Sequence, residues 1–172
     1  NDVLLIHAAG NEGENHDRNP RFPSVWNNKK ERNVDTWINV GATSKTLDDT
    51  FVGDFTNYGR KTVDLFAPGV DIYSLQPENK YDVLDGTSFA SPMVAGTAAL
   101  IKSYYPEFTA IQVKDIILAS VSSVYKRKRG ILPAKDEMKK QKRTRFGKLS
   151  LTGGLLNVYK ALQYCEQKNS AE

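Results

Sequence analysis

Apolar and polar positions fall into blocks along this chain, and the blocks predict its elements. The opening run DVLLIHAAG (residues 2–10) is apolar throughout and ends on glycine. Its length suits a strand buried on both faces, as in a parallel sheet, with Val3 to Ala8 as its body. TWINVGATS and VDLFAPG predict two further buried strands, the second stopped by Pro68 and Gly69. DIYSL and KYDVLDG flank QPEN and predict a hairpin. From Ser88 to Tyr105 the period becomes helical, with Met93, Val94, Thr97, Leu100 and Ile101 on one stripe. Alanines and Gly96 fill the other faces, the pattern of a helix buried all round. TAIQVKDIILASV predicts an amphipathic helix with Thr109 as N-cap, and GGLLNVYKALQYCEQ a closing helix. NEGENHDRNPRFPS and WNNKKERNVD are polar and predict exposed connections. Apolar strands mixed with helices give an α/β fold built on a mostly parallel sheet. The first buried strand begins at residue 2, so the chain is expected to continue a longer one.

Length and composition agree with one domain: 172 residues, 40% hydrophobic and 26% charged. No apolar run approaches the roughly 20 residues of a membrane span. Cys165 is the sole cysteine, so no disulfide forms within the chain. The net charge of +4 is local in origin. Residues 126 to 148 hold eleven Lys and Arg against Asp136 and Glu137, which leaves the rest of the chain net acidic. Such a segment is ordinarily a solvated loop, and the few aromatics within it argue against a nucleic-acid partner. Asp48, Asp49 and Asp54 lack any spaced ligand signature.

Two stretches carry chemistry. LDGTSFASPMVAG (residues 84–96) sets Ser88 where a glycine turn becomes a helix. Gly86 permits an unusual backbone angle there, and the free N–H groups of a helix start would stabilise an anion forming beside Ser88. Pro92 cannot donate to the carbonyl of Ser88, which loosens the first turn. Alone, this stretch is explained as economically by Thr87 or Ser88 acting as a plain N-cap. AAGNEG (residues 8–13) ends the first strand, where ligands bind in open α/β sheets, and Asn11 would project there as an amide donor. Alone, Asn11 is explained as well by a turn between glycines.

Together the two stretches resemble the subtilisin-like serine proteases, the subtilases. FPSV, INVGATS, FTNYG, VDLFAPGVDIYS, YDVLDGTS and GGLLNVYKAL follow in that family's order. The resemblance covers most of residues 3–125 and 151–164. It implies a three-layer α/β fold of which this chain is the C-terminal part. It implies a serine endopeptidase acting on polypeptides, with Ser88 as nucleophile. The side chain of Asn11 and the backbone N–H of Ser88 would bind the oxyanion. Thr87 would be a supporting hydroxyl, and Ala8, Ala9 and Gly10 would wall the pocket for the substrate residue before the cleaved bond. The peptide bond before Pro23 is expected to be cis. No cofactor is needed for this chemistry. Calcium is common in the family, but its ligands cannot be assigned here. Export is also common, so a secreted, periplasmic or cell-surface location is expected.

The chain departs from the family in one decisive respect. The family order is Asp, then His, then Ser, yet only seven residues precede Ala8, and neither the Asp motif nor the His-Gly-Thr motif is present. His7 is expected to be a packed strand histidine and His16 a solvated loop residue. The 172 residues are therefore expected to be inactive alone and to need the N-terminal part of the catalytic domain as partner. Without it, exposed strand surface predicts self-association. Segments near 26–34 and 126–150 are expected as exposed inserts. The rival readings are a catalytically dead binding module with this fold and, more weakly, an anionic-surface role for residues 126–148.

Overall fold

The computed structural model describes residues 2–25, 34–46, 48–133 and 142–169. Three parallel strands form its middle layer: β1 (Leu5–Ala8), β2 (Trp37–Thr43) and β3 (Leu65–Pro68), in the order β1-β2-β3. Leu5 stands opposite Trp37, and Val40 opposite Leu65. Alternation along the strands divides the side chains between two faces. Ile38, Val40, Ala42, Leu65 and Ala67 point into one core, whereas Phe66 points into the other.

Helix α1 (Thr87–Tyr104) lies on the first face. Its buried residues Thr87, Ala90, Val94, Thr97 and Ile101 recur every three or four positions and form one stripe. α2 (Ala110–Ala119) packs against α1 and against α3 (Val158–Asn169). Thr109 caps α2 as predicted, in a capping box with Gln112. The carboxylate of Asp2 accepts from the Ala110 N–H at 2.7 Å, which ties the chain's first described residue to the start of α2.

The second face is covered by loops and a short hairpin. The rings of Phe51, Phe66 and Phe146 meet at centroid spacings of 5.1 Å, with Val63 and Leu149 buried beside them. Phe146 and Leu149 belong to the segment expected to be an exposed insert, and both are buried. Lys126, Arg127, Arg129, Arg143, Arg145 and Lys148 are all exposed. The hairpin pairs β6 (Arg129–Ile131) with β7 (Arg143–Arg145) and holds the basic groups away from the core. Residues 26–33 and 134–141, on which much of the two insert predictions falls, lie outside the described residues.

Among the described residues β1 is the outer strand of the sheet, with Val3 and Leu5 about half exposed. One expected burial is not met. α1 is not buried all round: Pro92, Met93, Ala95, Gly96 and Ala99 are exposed, and a methyl group built on Gly96 would meet nothing within 4 Å. Small residues allow a helix face to be covered without requiring it. α1 packs on β1, and each of the two elements exposes apolar residues.

The closing helix also starts later than predicted. Gly153 takes φ +59°, and Leu155 bridges to both Phe66 and Ser122. Backbone bonds from Phe66 to Gly154 and from Leu156 to Phe66 commit this stretch to lying beside β3. The helix then begins at Val158, with the Asn157 side chain accepting from the Lys160 N–H at 2.9 Å. The predicted hairpin forms as β4 (Ile72–Gln76) and β5 (Lys80–Leu84) and delivers the chain to Gly86 and α1. No helix of the described residues is long and apolar enough to cross a membrane.

Candidate active site

The carboxyl end of β1 runs straight into the candidate site. Ala8 closes the strand, and the Ala9 N–H still donates to Val40 of β2 at 2.9 Å. Gly10 then turns at φ +99°. A Cβ there would sit 2.5 Å from Nδ2 of Asn57, so both the angle and the space require glycine. Asn57 is fully buried and organises the loop that follows. Its side-chain oxygen accepts from the Glu12 and Glu14 N–H groups, and its amide donates to the Ala9 carbonyl at 2.9 Å. Asp17 closes the same loop further out, accepting from the N–H groups of Arg60, Lys61 and Thr62. Asn57 lies in the FTNYG motif, but nothing in a lone Asn-Tyr-Gly marks it as the residue that shapes a loop 45 positions upstream.

Glycine turn and helix start meet this loop through one residue. Gly86 is the N-cap of α1, at φ 156°, and has no side chain with which to cap the helix. The plain-cap explanation of Thr87 and Ser88 therefore fails. Thr87, fully buried, instead reaches across to the β1 loop. Its N–H and its hydroxyl both donate to the side-chain oxygen of Asn11, each at 2.9 Å. The same hydroxyl accepts from the Gly10 N–H at 3.0 Å. With its oxygen engaged twice, Asn11 presents its NH2 as the remaining polar group, beside Gly86. Asn11 and Ser88 are both exposed. The Ser88 N–H lies in the first turn of α1, where backbone donors have no partner within the helix.

A cavity of about 260 Å³ opens beside the strand end and is lined by Ala8, Ala9 and Gly10, as well as by both histidines. His7 is the packed strand residue expected: its Nδ1 meets Oδ1 of Asn39 at 3.1 Å, and its ring tilts against Trp37. His16 corrects the expectation. It is only 7% exposed rather than solvated, because its backbone N–H bonds to the Tyr58 carbonyl and the loop folds it inward. Among the described residues neither ring is hydrogen-bonded to Ser88, and the Phe22–Pro23 bond is cis.

Burial holds the His16 imidazole below its ordinary pKa of 6.5; Glu12 and Glu14 pull it upward, and Arg21 and His7 push it down further. The folded chain thus binds fewer protons at this ring than the unfolded chain around and below that value. Stability then rises with pH through this window and is lost as pH falls below about 6.5. The urea midpoint of the 172-residue chain is expected to drop on acidification from pH 7 to pH 5.5, and to drop less in His16→Gln. Equal drops in both would remove His16 from the response.

Residues 1–150 match the model of the Subtilase family. Subtilisin DY of Bacillus licheniformis is 35% identical over 123 residues, which cover 71% of this chain and 40% of that protein. The major intracellular serine protease of Bacillus subtilis (strain 168) is 40% identical over 109 residues, covering 62% of this chain and 30% of that one. The solved structure of the prenylagaramide maturation protease PagA superposes with a TM-score of 0.63 at 27% identity, over 95% of this chain and 50% of its own. The chain thus spans half or less of the length of each of these proteins.

Proposed function

The chain belongs to the subtilase family, and we propose on that premise that it carries the nucleophile of a serine endopeptidase. Ser88 is the attacking group. Its oxygen adds to the carbonyl of a polypeptide substrate while its proton passes to a base. The tetrahedral oxyanion lies between the Asn11 amide and the Ser88 N–H. Collapse expels the amine half of the substrate with that proton. Water then cleaves the acyl-enzyme and restores the serine. Thr87 is a positioning residue, because its two donors fix the rotation of the Asn11 amide. Ala8, Ala9 and Gly10 wall the pocket beside the reacting bond.

One observation supports this reading: the bonds from Thr87 engage the Asn11 oxygen and leave its NH2 close to Gly86, beside the Ser88 N–H of the helix start. Neither histidine serves Ser88, so the base and its orienting acid come from an upstream portion of the whole protein. The exposed apolar residues of β1 and α1 are where that portion would dock. No cofactor is required.

A fluorophosphonate probe tests the reading. The 172-residue chain alone is expected to remain unlabelled at Ser88, and the whole protein to label stoichiometrically within minutes. Rapid labelling of the isolated chain would overturn the claim that its base lies elsewhere. Failure of the whole protein to label would favour the catalytically dead binding module.

A further inference from the structure

The basic hairpin of β6 and β7 is a charged surface that the proposed chemistry does not use. Its two faces differ. On one, Gly130 pairs with Thr144, and a methyl group built on Gly130 would lie 3.1 Å from the Asp49 carbonyl oxygen, so this face is pressed against the body of the protein. The neighbouring Ile131 N–H donates to that carbonyl at 3.1 Å. Side chains alternate along a strand, so the residues on either side of Gly130 and Thr144 turn outward. There Arg129 stands directly opposite Arg145, and Arg143 opposite Ile131. All three arginines are exposed. Arg143 holds the carboxylate of Asp49. Arg129 and Arg145 have no carboxylate partner among the described residues. Backbone bonds from Phe146 to Lys128 and from Gly147 to Lys126 extend the pairing and carry the positive charge on to the exposed Lys126 and Lys148.

Like charges directly opposite one another weaken a strand pair. Local choices that oppose the fold concentrate at functional sites. An anionic partner lying across Arg129 and Arg145 replaces their repulsion by attraction to both. Three observations set its chemistry. Arg143 already seats a carboxylate on this hairpin, and a guanidinium matches the two oxygens of that group. No large apolar residue between 126 and 148 is exposed among the described residues, which leaves nothing to enter a lipid layer. The one aromatic ring of the segment, Phe146, is buried, which leaves nothing on which bases would stack. The hairpin also adjoins the candidate site: a cavity of about 530 Å³ is lined by Ile131 of β6 and by Asp85, three positions before Ser88. We propose that the outward face of this hairpin docks an acidic segment of the polypeptide substrate, away from the bond cleaved at Ser88. This rests on the protease reading above and adds the substrate's charge to it. Asp48, Asp54, Asp71 and Asp85 line the intervening cavity and repel an acidic segment from it, so the segment docks on the hairpin and not beside the reacting bond.

The test uses the whole protein. Binding of a fluorescein-labelled polyglutamate peptide is followed by anisotropy, with Ser88→Ala present to prevent cleavage. Affinity is expected to fall steeply between about 50 mM and about 500 mM salt. It should fall about 10-fold in Arg129→Glu/Arg145→Glu, where exposed ion pairs are both lost and reversed. Lys160→Glu/Lys168→Glu makes the same change in net charge on α3, at two exposed positions, and should weaken binding far less. In hydrolysis by the protein with Ser88 intact, an acidic tract appended to a cleavable peptide should raise kcat/KM about 10-fold through KM. That gain should vanish in Arg129→Glu/Arg145→Glu, while the untailed peptide is cleaved at its original rate. Arg129→Glu alone turns a like-charge pair into an opposite one, so its unfolding midpoint should not fall, and weaker binding in it is not a loss of fold. Equal affinity in wild type and Arg129→Glu/Arg145→Glu overturns the proposal, as does equal weakening by the α3 control. Tighter binding to vesicles of equimolar phosphatidylcholine and phosphatidylserine than to the peptide, lost in the same double variant, overturns it in favour of a membrane. Fluorophosphonate labelling run in parallel separates the two readings. A protein that labels at Ser88 and cleaves tailed and untailed peptides alike sinks only the hairpin proposal. One that does not label sinks the protease reading, and the substrate as occupant with it.

Discussion

Replacing Ser88 with alanine is expected to reduce peptide-bond hydrolysis by the whole protein about 10⁶-fold, with no measurable change in the unfolding midpoint of the 172-residue chain. The first figure is the known cost of removing the nucleophile from subtilisin, a relative of this chain, and is adopted from there. The second comes from the geometry. Ser88 is exposed, and its hydroxyl makes no hydrogen bond among the described residues. The helix cap is Gly86, so no capping bond is lost. Exposed substitutions free of such features usually change stability by no more than about 0.5 kcal/mol. The pairing of the two results is what discriminates. A serine that served the fold would lower stability when removed. A serine that serves only chemistry lowers turnover alone. Peptide hydrolysis and urea denaturation of the same variant measure both, and activity within tenfold of wild type would exclude Ser88 as the nucleophile.

Much of the fold was legible because it rests on local rules. Alternation in β2 and β3, the Thr109–Gln112 box and the QPEN turn each act within a few residues. The errors arose where a distant neighbour decides. Gly153 to Asn157 reads as the start of a helix, but pairing with Phe66 and Ser122 holds it extended. The small residues of α1 read as burial on every side, yet burial depends on what lies opposite them. His16 sits among Asn, Asp and Arg, which describe a solvated loop. Its backbone bond to Tyr58, 42 positions on, turns it inward, and no sequence pattern announces that bond. The candidate site was legible for a different reason. AAGNEG and GTS are specific motifs, and their meeting is carried by three hydrogen bonds of a single residue, Thr87. Taken without the family resemblance, the residues do not say that Thr87 rather than Ser88 spans the gap, since both hydroxyls follow Gly86 within two positions.

On the proposed function Asn11 does two jobs, and two substitutions are expected to separate them. Its oxygen accepts from the N–H and the hydroxyl of the buried Thr87; its NH2 is free to meet an oxyanion. Asn11→Asp keeps an oxygen for both Thr87 donors. It removes the outward N–H and places a negative charge where negative charge must develop. Stability should change little, and kcat should fall by at least the roughly 10²–10³-fold recorded when subtilisin loses its corresponding donor. KM should move far less, because the ground-state carbonyl makes weaker use of that donor than the oxyanion. Asn11→Ala removes both functions. Thr87 then holds two donors without an acceptor in a buried position, at a cost of about 1–3 kcal/mol each unless water reaches them. This variant should lose comparable turnover and also unfold at lower urea. If Asn11→Asp retains full kcat, the amide is not an oxyanion donor. If Asn11→Ala unfolds at the wild-type midpoint, the Thr87 bonds contribute nothing to holding the strand end against the helix. The two results are independent: the first concerns the NH2 and the second the oxygen, at opposite ends of one amide group.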